Sequence, residues 1–231
     1  MNNRGKLLQL ITGAVLLWLG SSAIPVQGQI VRSPELNMQF HRAEAAFKSG
    51  TSLLEAKARV DRVLEDLPDD IEARKLRAEV FIAMGRPKDA LVDARRAAQL
   101  APGDGEAHLL VSEAARLSGD YELAIQAMDD AAEHAPDDAP LHVRLSWNAM
   151  EIGQLEKAEA FARIALALRP NDAAAYQQLA RAFILQDKHE AAAEILARGL
   201  RSAVIPLDAV RRDSVLSQLL AHPLLSPYTE R

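Results

Sequence analysis

The sequence predicts an all-α solenoid of about five helix-turn-helix units, closed by a C-terminal capping helix. Three observations predict it. Gly85, Gly119 and Gly153 lie 34 residues apart, and Ala90, Ala124, Ala158 and Ala192 keep the same step. Pro68, Pro102, Pro136 and Pro170 repeat it, followed two places later by Asp70, Asp104, Asp138 and Asp172. Small residues recur at Ala78, Ser112, Ser146 and Ala180, and again at Ala97, Ala131, Ala165 and Gly199. A fixed period of this length marks stacked supersecondary units, because a lone helical hairpin cannot bury its apolar face without neighbours.

Composition agrees and removes several function classes. The chain has 231 residues, 49% hydrophobic and 26% charged, too apolar to be disordered throughout. Its net charge is −5 and it has no long basic run, so no nucleic-acid footprint is expected. It has no cysteine, which excludes disulfides, thiolate metal sites, cysteine nucleophiles and a lipidated N-terminal cysteine.

Residues 1–28 read as a secretory signal peptide. Arg4 and Lys6 form the positive start, Leu7 to Gly20 is mostly apolar, and small residues precede the helix breaker Pro25. Cleavage after Ala23 or Gly28 gives a periplasmic or secreted product. The rival reading is an uncleaved inner-membrane anchor facing the periplasm, since Leu7 to Ile24 is near the lower limit of a membrane span. Thr12, Gly13 and the small-residue tail favour cleavage. Residues 29–36 then form a flexible leader.

Five units follow, 37–70, 71–104, 105–138, 139–172 and 173–206. In the second, Leu76, Val80, Phe81 and Met84 recur at helical spacing, and Gly85 supplies the left-handed turn that ends the first helix. Pro87 fits the first turn of the second helix, where its missing N–H is no loss. Ala90, Leu91, Ala94 and Ala97 form the inner stripe of that helix. Pro102 stops it, and Asp104 caps the next. By the same period Ala124 lies at the closest helix approach, whereas Ala127 turns toward solvent. Residues 207–231 form the cap and tail: Val210, Val215, Leu216, Leu219 and Leu220 make one apolar stripe, and Pro223 ends the helix.

These units resemble tetratricopeptide repeats, with a small residue at the eighth place, Gly at the fifteenth, Ala at the twentieth and Pro at the thirty-second. The units 71–104, 105–138 and 139–172 match strongly. Unit 173–206 has Asp187 for the turn Gly and Val204 for the Pro. Unit 37–70 has Glu44 where a small residue belongs, and its Gly50 comes one place early. The resemblance implies a right-handed superhelix whose first helices line the concave side. The stretch from Asp213 to Tyr228 resembles the tail that closes many bacterial repeat proteins of this family. Together with the signal peptide, the resemblance implies a non-enzymatic scaffold in the bacterial envelope, holding a peptide or protein segment in its concave groove. The alternative is a permanent accessory subunit of an envelope or secretion complex.

No catalytic constellation is present: no Gly-rich phosphate loop, no G-x-S-x-G elbow and no H-E-x-x-H helix. His108 and His142 hold equivalent places on adjacent first helices, where packed histidines are favoured over a two-histidine metal site. No cofactor and no metal are expected.

Family members contact ligands from set places on the first helix. Carried onto this chain, those places give an acidic stretch with Glu79 and Glu113, then an apolar one with Leu109, Val143, Trp147, Met150 and Ile184, and Arg181 beside it. Leu141, Leu145, Ala149 and Ile152 already provide a packing stripe, so Val143, Trp147 and Met150 form a second one. That second stripe is either a ligand surface or is covered by the C-terminal segment. Glu79 and Glu113 stand where a carboxylate clamp would need cations, which favours an apolar or basic-plus-apolar peptide as partner.

Overall fold

From the second unit on, each hairpin begins where an aspartate ends a loop. The Asp70, Asp104, Asp138 and Asp172 carboxylates accept backbone N–H bonds two or three residues ahead, which satisfies donors that a helix start leaves unpaired. The helices of the array are α1 Pro34–Lys48, α2 Leu53–Asp66, α3 Ile71–Ala83, α4 Pro87–Leu100, α5 Gly105–Ser118, α6 Tyr121–His134, α7 Ala139–Glu151, α8 Leu155–Leu168, α9 Ala173–Leu185 and α10 His189–Arg201, and these four aspartates start α3, α5, α7 and α9. The cap adds α11 Leu207–Arg212 and the short α12 Ser226–Thr229. This computed structural model describes residues 31–50 and 52–229, among which there is no strand. The signal-peptide or anchor segment, 1–28, lies outside the described residues.

From Arg32 onward the chain forms one unit. Helices pair as α1·α2, α3·α4, α5·α6, α7·α8 and α9·α10, and the first helices also touch in succession, α1·α3, α3·α5, α5·α7 and α7·α9. That is the expected solenoid. Ala78, Ser112, Ser146 and Ala180 are fully buried, as are Ala90, Ala124, Ala158 and Ala192. The small residues therefore sit where paired helices meet. Ser146 stays satisfied there by donating to the Ala158 carbonyl at 2.8 Å.

The turn after each first helix needs a left-handed residue. Gly119 takes φ +83°, and in the fifth unit Asp187 takes φ +59° at the corresponding place. In the first unit Gly50 takes φ +65°, and the buried small residue is Ala43 rather than position 44. Both are one place early, so the whole of α1 is shifted by one residue. Glu44 then falls outside the packing stripe and pairs with His41 at 3.0 Å and Lys48 at 3.4 Å.

Three expectations need correction. Residues 34–36 are not leader: α1 begins at Pro34, Ser33 caps it, and Leu36 is buried. Arg32 holds this end in place, with both of its bonds to Asp70 at 2.6 Å and its guanidinium 3.7 Å from the Phe40 ring centroid. Ala127 does not face solvent; it is 2% exposed, in a cluster with Leu110 and Ala94, because the neighbouring hairpin covers that side of α6. The cap is not one helix. After α11 the chain makes 3-10 turns at Leu216–Leu219 and Pro223–Leu225, and Leu216, Leu219 and Leu225 pack against the α9–α10 core.

Candidate functional site

Helix α7 positions Trp147. The Asp138 carboxylate starts the helix by accepting the Leu141 N–H at 3.0 Å, and Leu141, Leu145 and Ala149 bury one stripe of it. Trp147 follows Leu145 by two places, roughly 200° around the helix axis, and is left 42% exposed. Met150 and Glu151 lie a turn further on. Arg181 and Leu185 approach from α9, and Arg212, Asp213, Ser214 and Val215 from the end of α11 and the turn after it. Together these residues enclose a pocket of about 580 Å³.

The pocket is held by ion pairs. Arg181 donates to Asp213, and its guanidinium lies 5.6 Å from the Trp147 ring centroid, within cation–π range. Asp213 also accepts the N–H groups of Val215 and Leu216 at 2.9 and 3.0 Å. Burial alone would raise the Asp213 carboxyl, but the Leu216 N–H, the Arg181 hydrogen bond and the Val215 N–H outweigh it and hold it below the ordinary range. Glu151 lies 3.7 Å from Arg116, which also donates to Asn148 at 3.0 Å.

The acidic half lies in the earlier units. A pocket of about 280 Å³ there has Phe40, Phe47 and Leu76 in its wall, with Glu72, Glu79 and Glu106. Arg144 on α7 reaches back to Glu113 with two bonds of 2.9 Å and to Glu106 at 2.5 Å. Burial opposes the charge on Arg144, yet Glu113 and Glu106 overcome this and strengthen its hold on its proton. Glu79 makes no hydrogen bond or ion pair among the described residues. Burial pushes its carboxyl up, Arg144 opposes that, and the Glu106 and Glu113 charges reinforce it. Lys75, on the same helix, is bonded to Asp104 at 2.8 Å.

The eight sequence-derived residues thus divide. Trp147, Met150 and Arg181 come together in one pocket. Val143 is half-buried, packed against the α9–α10 core. Leu109 and Ile184 are not groove residues: at 0% and 6% exposure they belong to the core, Leu109 with Met128 and Leu141, Ile184 with Leu179 and Phe183. Stacking of successive units buries that side of α5 and α9. Glu79 and Glu113 lie in the acidic half, partly neutralised by Arg144, which the sequence reading missed. It also missed Arg212, Asp213 and Ser214 as pocket residues and placed Val215 only in the packing stripe of the cap. The signal available was Asp213 two and three places before Val215 and Leu216, a capping pattern in mid-helix.

The histidines make no pair on adjacent first helices. His108 stacks on His134 at 5.2 Å, and His142 is buried against Phe161 with one ring nitrogen on the Pro136 carbonyl at 3.1 Å. Among the described residues no group of three or more His, Asp or Glu could hold a metal ion, and no helix is long and apolar enough to cross a membrane.

Fold and site together describe a helical-repeat binding scaffold. The sequence profile of the tetratricopeptide repeat matches residues 81–142 and 115–164, which supports that repeat type for the central units. A 74-residue stretch is 39% identical to DnaJ homolog subfamily C member 3 of Homo sapiens; it makes up 32% of this chain and 14% of that protein's length. Among solved structures, the chain is similar to a thermophilic TPR protein in Thermus thermophilus, at TM-score 0.64 and 23% identity over 80% of this chain and 98% of that one. It is also similar to MamA 41-end from Desulfovibrio magneticus RS-1, at TM-score 0.59 and 19% identity over 79% and 100%. These likenesses establish the fold.

Proposed function

We propose that the protein is a non-enzymatic scaffold of the bacterial envelope that holds a segment of a partner protein against the first helices, with an apolar side chain of that segment seated beside Trp147. The observation that carries the reading is the half-exposed indole in a walled pocket of about 580 Å³. The packing of α7 does not use it, and large aromatic side chains in such positions are common anchors of binding energy. Arg4, Lys6 and the apolar run after them support export.

The test is affinity capture from the envelope fraction with the wild-type chain and Trp147→Ala, alongside intact-mass analysis of the mature protein. The expected result is a start near Ile24 or Gln29 and a partner retained by the wild type and lost by the variant. A full-length, membrane-extracted chain would establish the anchor instead. A partner that stays bound through high salt, with no free scaffold found, would make the protein a permanent subunit rather than a receptor.

A further inference from the structure

The charges around the Trp147 pocket are not equally engaged. Arg181 and Asp213 satisfy each other, and Asp213 has two backbone donors besides. Glu151 faces Arg116. Arg212 is different. Its Nε donates to the Asp208 carbonyl at 3.0 Å, but no carboxylate lies within ion-pair distance of it among the described residues, and it is exposed on the pocket rim. Apart from Ser214, the rest of the rim and floor is apolar: Trp147, Met150, Leu185 and Val215. At the other end of the array the surplus is acidic, with Glu79 unpaired.

We infer that the segment bound at Trp147 carries an acidic side chain next to its apolar anchor, on the side of the capping segment, and that Arg212 receives it. The inference rests on the groove reading above and specifies its ligand. The complement to an apolar pocket with one uncommitted guanidinium at its edge is an apolar side chain with a neighbouring carboxylate, and Arg presents donors suited to it. The acidic half repels that carboxylate, so it also sets the direction in which the segment lies. The ligand is an internal stretch of a partner protein, and a side-chain carboxylate is what is recognised.

The experiment uses the full chain with Trp18→Phe, which leaves Trp147 as its one tryptophan. Peptide pools with blocked ends carry Leu, Ile, Met or Phe at a central position, followed by Glu, Gln or Lys. Each is titrated while Trp147 emission is followed. The Glu pool should bind about fivefold tighter than the Gln pool, a difference expected of one partly exposed ion pair, and salt should erase the gap. Arg212→Gln should bring the Glu pool to the level of the Gln pool, leave the Gln pool unchanged and leave thermal unfolding unchanged. Arg212→Lys should restore part of the gap. Equal binding of Glu and Gln pools, or best binding of the Lys pool, overturns the inference and leaves the groove reading standing. Binding of the Gln pool that improves when its C-terminus is unblocked also overturns it, in favour of a chain-end carboxylate. Emission unmoved by every pool overturns both readings, as does emission that shifts with protein concentration alone, which would give the pocket to a second copy.

Discussion

Asp213, in the capping segment, holds Arg181 of α9 beside the indole of Trp147. Thirty-two residues separate the two partners in sequence, and the bond makes the cap a wall of the candidate site as well as a cover for the end of the core.

Trp147→Ala is expected to separate binding from stability. At 42% exposure the indole contributes little to the core, so the loss should be about 1 kcal/mol or less of folding stability. Loss of an anchor of this kind commonly costs about 2 kcal/mol of binding energy. Thermal unfolding and partner capture on the same variant check both. A stability loss of about 3–5 kcal/mol would place the side chain in the core instead.

Asp213→Ala should loosen the cap. It removes a bond to Arg181 and a capping acceptor for two N–H groups, and capping losses alone run at about 0.5–2 kcal/mol. The pH dependence has a definite sign. The folded carboxyl titrates below its ordinary value of 3.8, so its contribution is present above that value and is lost as pH falls through the lower folded one. Wild type and Asp213→Ala should therefore converge in melting temperature only under strongly acidic conditions, as scanning calorimetry across pH would record.

Glu79→Gln should be neutral or stabilising at neutral pH. The carboxylate is desolvated, makes no hydrogen bond and faces Glu106 and Glu113, so its folded value is raised. A raised carboxyl penalises the folded state when ionised, and the penalty fades as pH falls through the folded value toward the ordinary 4.5. Urea unfolding of both proteins at neutral pH and below 4.5 should give an advantage to the variant that disappears in acid.

Asp187→Gly should stabilise by about 0.5–1 kcal/mol, because glycine adopts the left-handed turn without strain, and Asp187→Val should destabilise. Chemical denaturation of the three proteins orders them.

Ala124→Leu and Ala127→Leu should each cost about 1–3 kcal/mol, since both sites are closed. A tolerated Ala127→Leu, judged by melting temperature, would restore the solvent-facing assignment.

Much of the fold was legible because it depends on local rules that recur. An aspartate before a helix, a left-handed residue after it and alanines at the crossing can be read from spacing alone, and the structure uses Asp104, Gly119 and Ala124 in those roles. Asp187 departs from the period, and its tolerance of the left-handed region explains why it can. The candidate site was less legible because it depends on what packs against each unit. Ile184 and Trp147 both hold places that the family uses for ligands, yet stacking buries one and exposes the other. Ala127 failed for the same reason. Arg212 and Asp213 reach the pocket through a break in the cap that an apolar stripe cannot reveal, since the stripe fits one helix as well as several turns.

The cap's place in the wall of the pocket bears on the order of biogenesis. A chain is made from its N-terminus, and each hairpin can dock on the one before it as it emerges. Trp147 and Arg181 are then already made while Asp213 and Val215, which complete the wall, have yet to appear. The pocket closes only once the turn after α11 settles onto α9. Residues made late are therefore the ones that finish the pocket, and a chain not yet complete has no such cavity to offer.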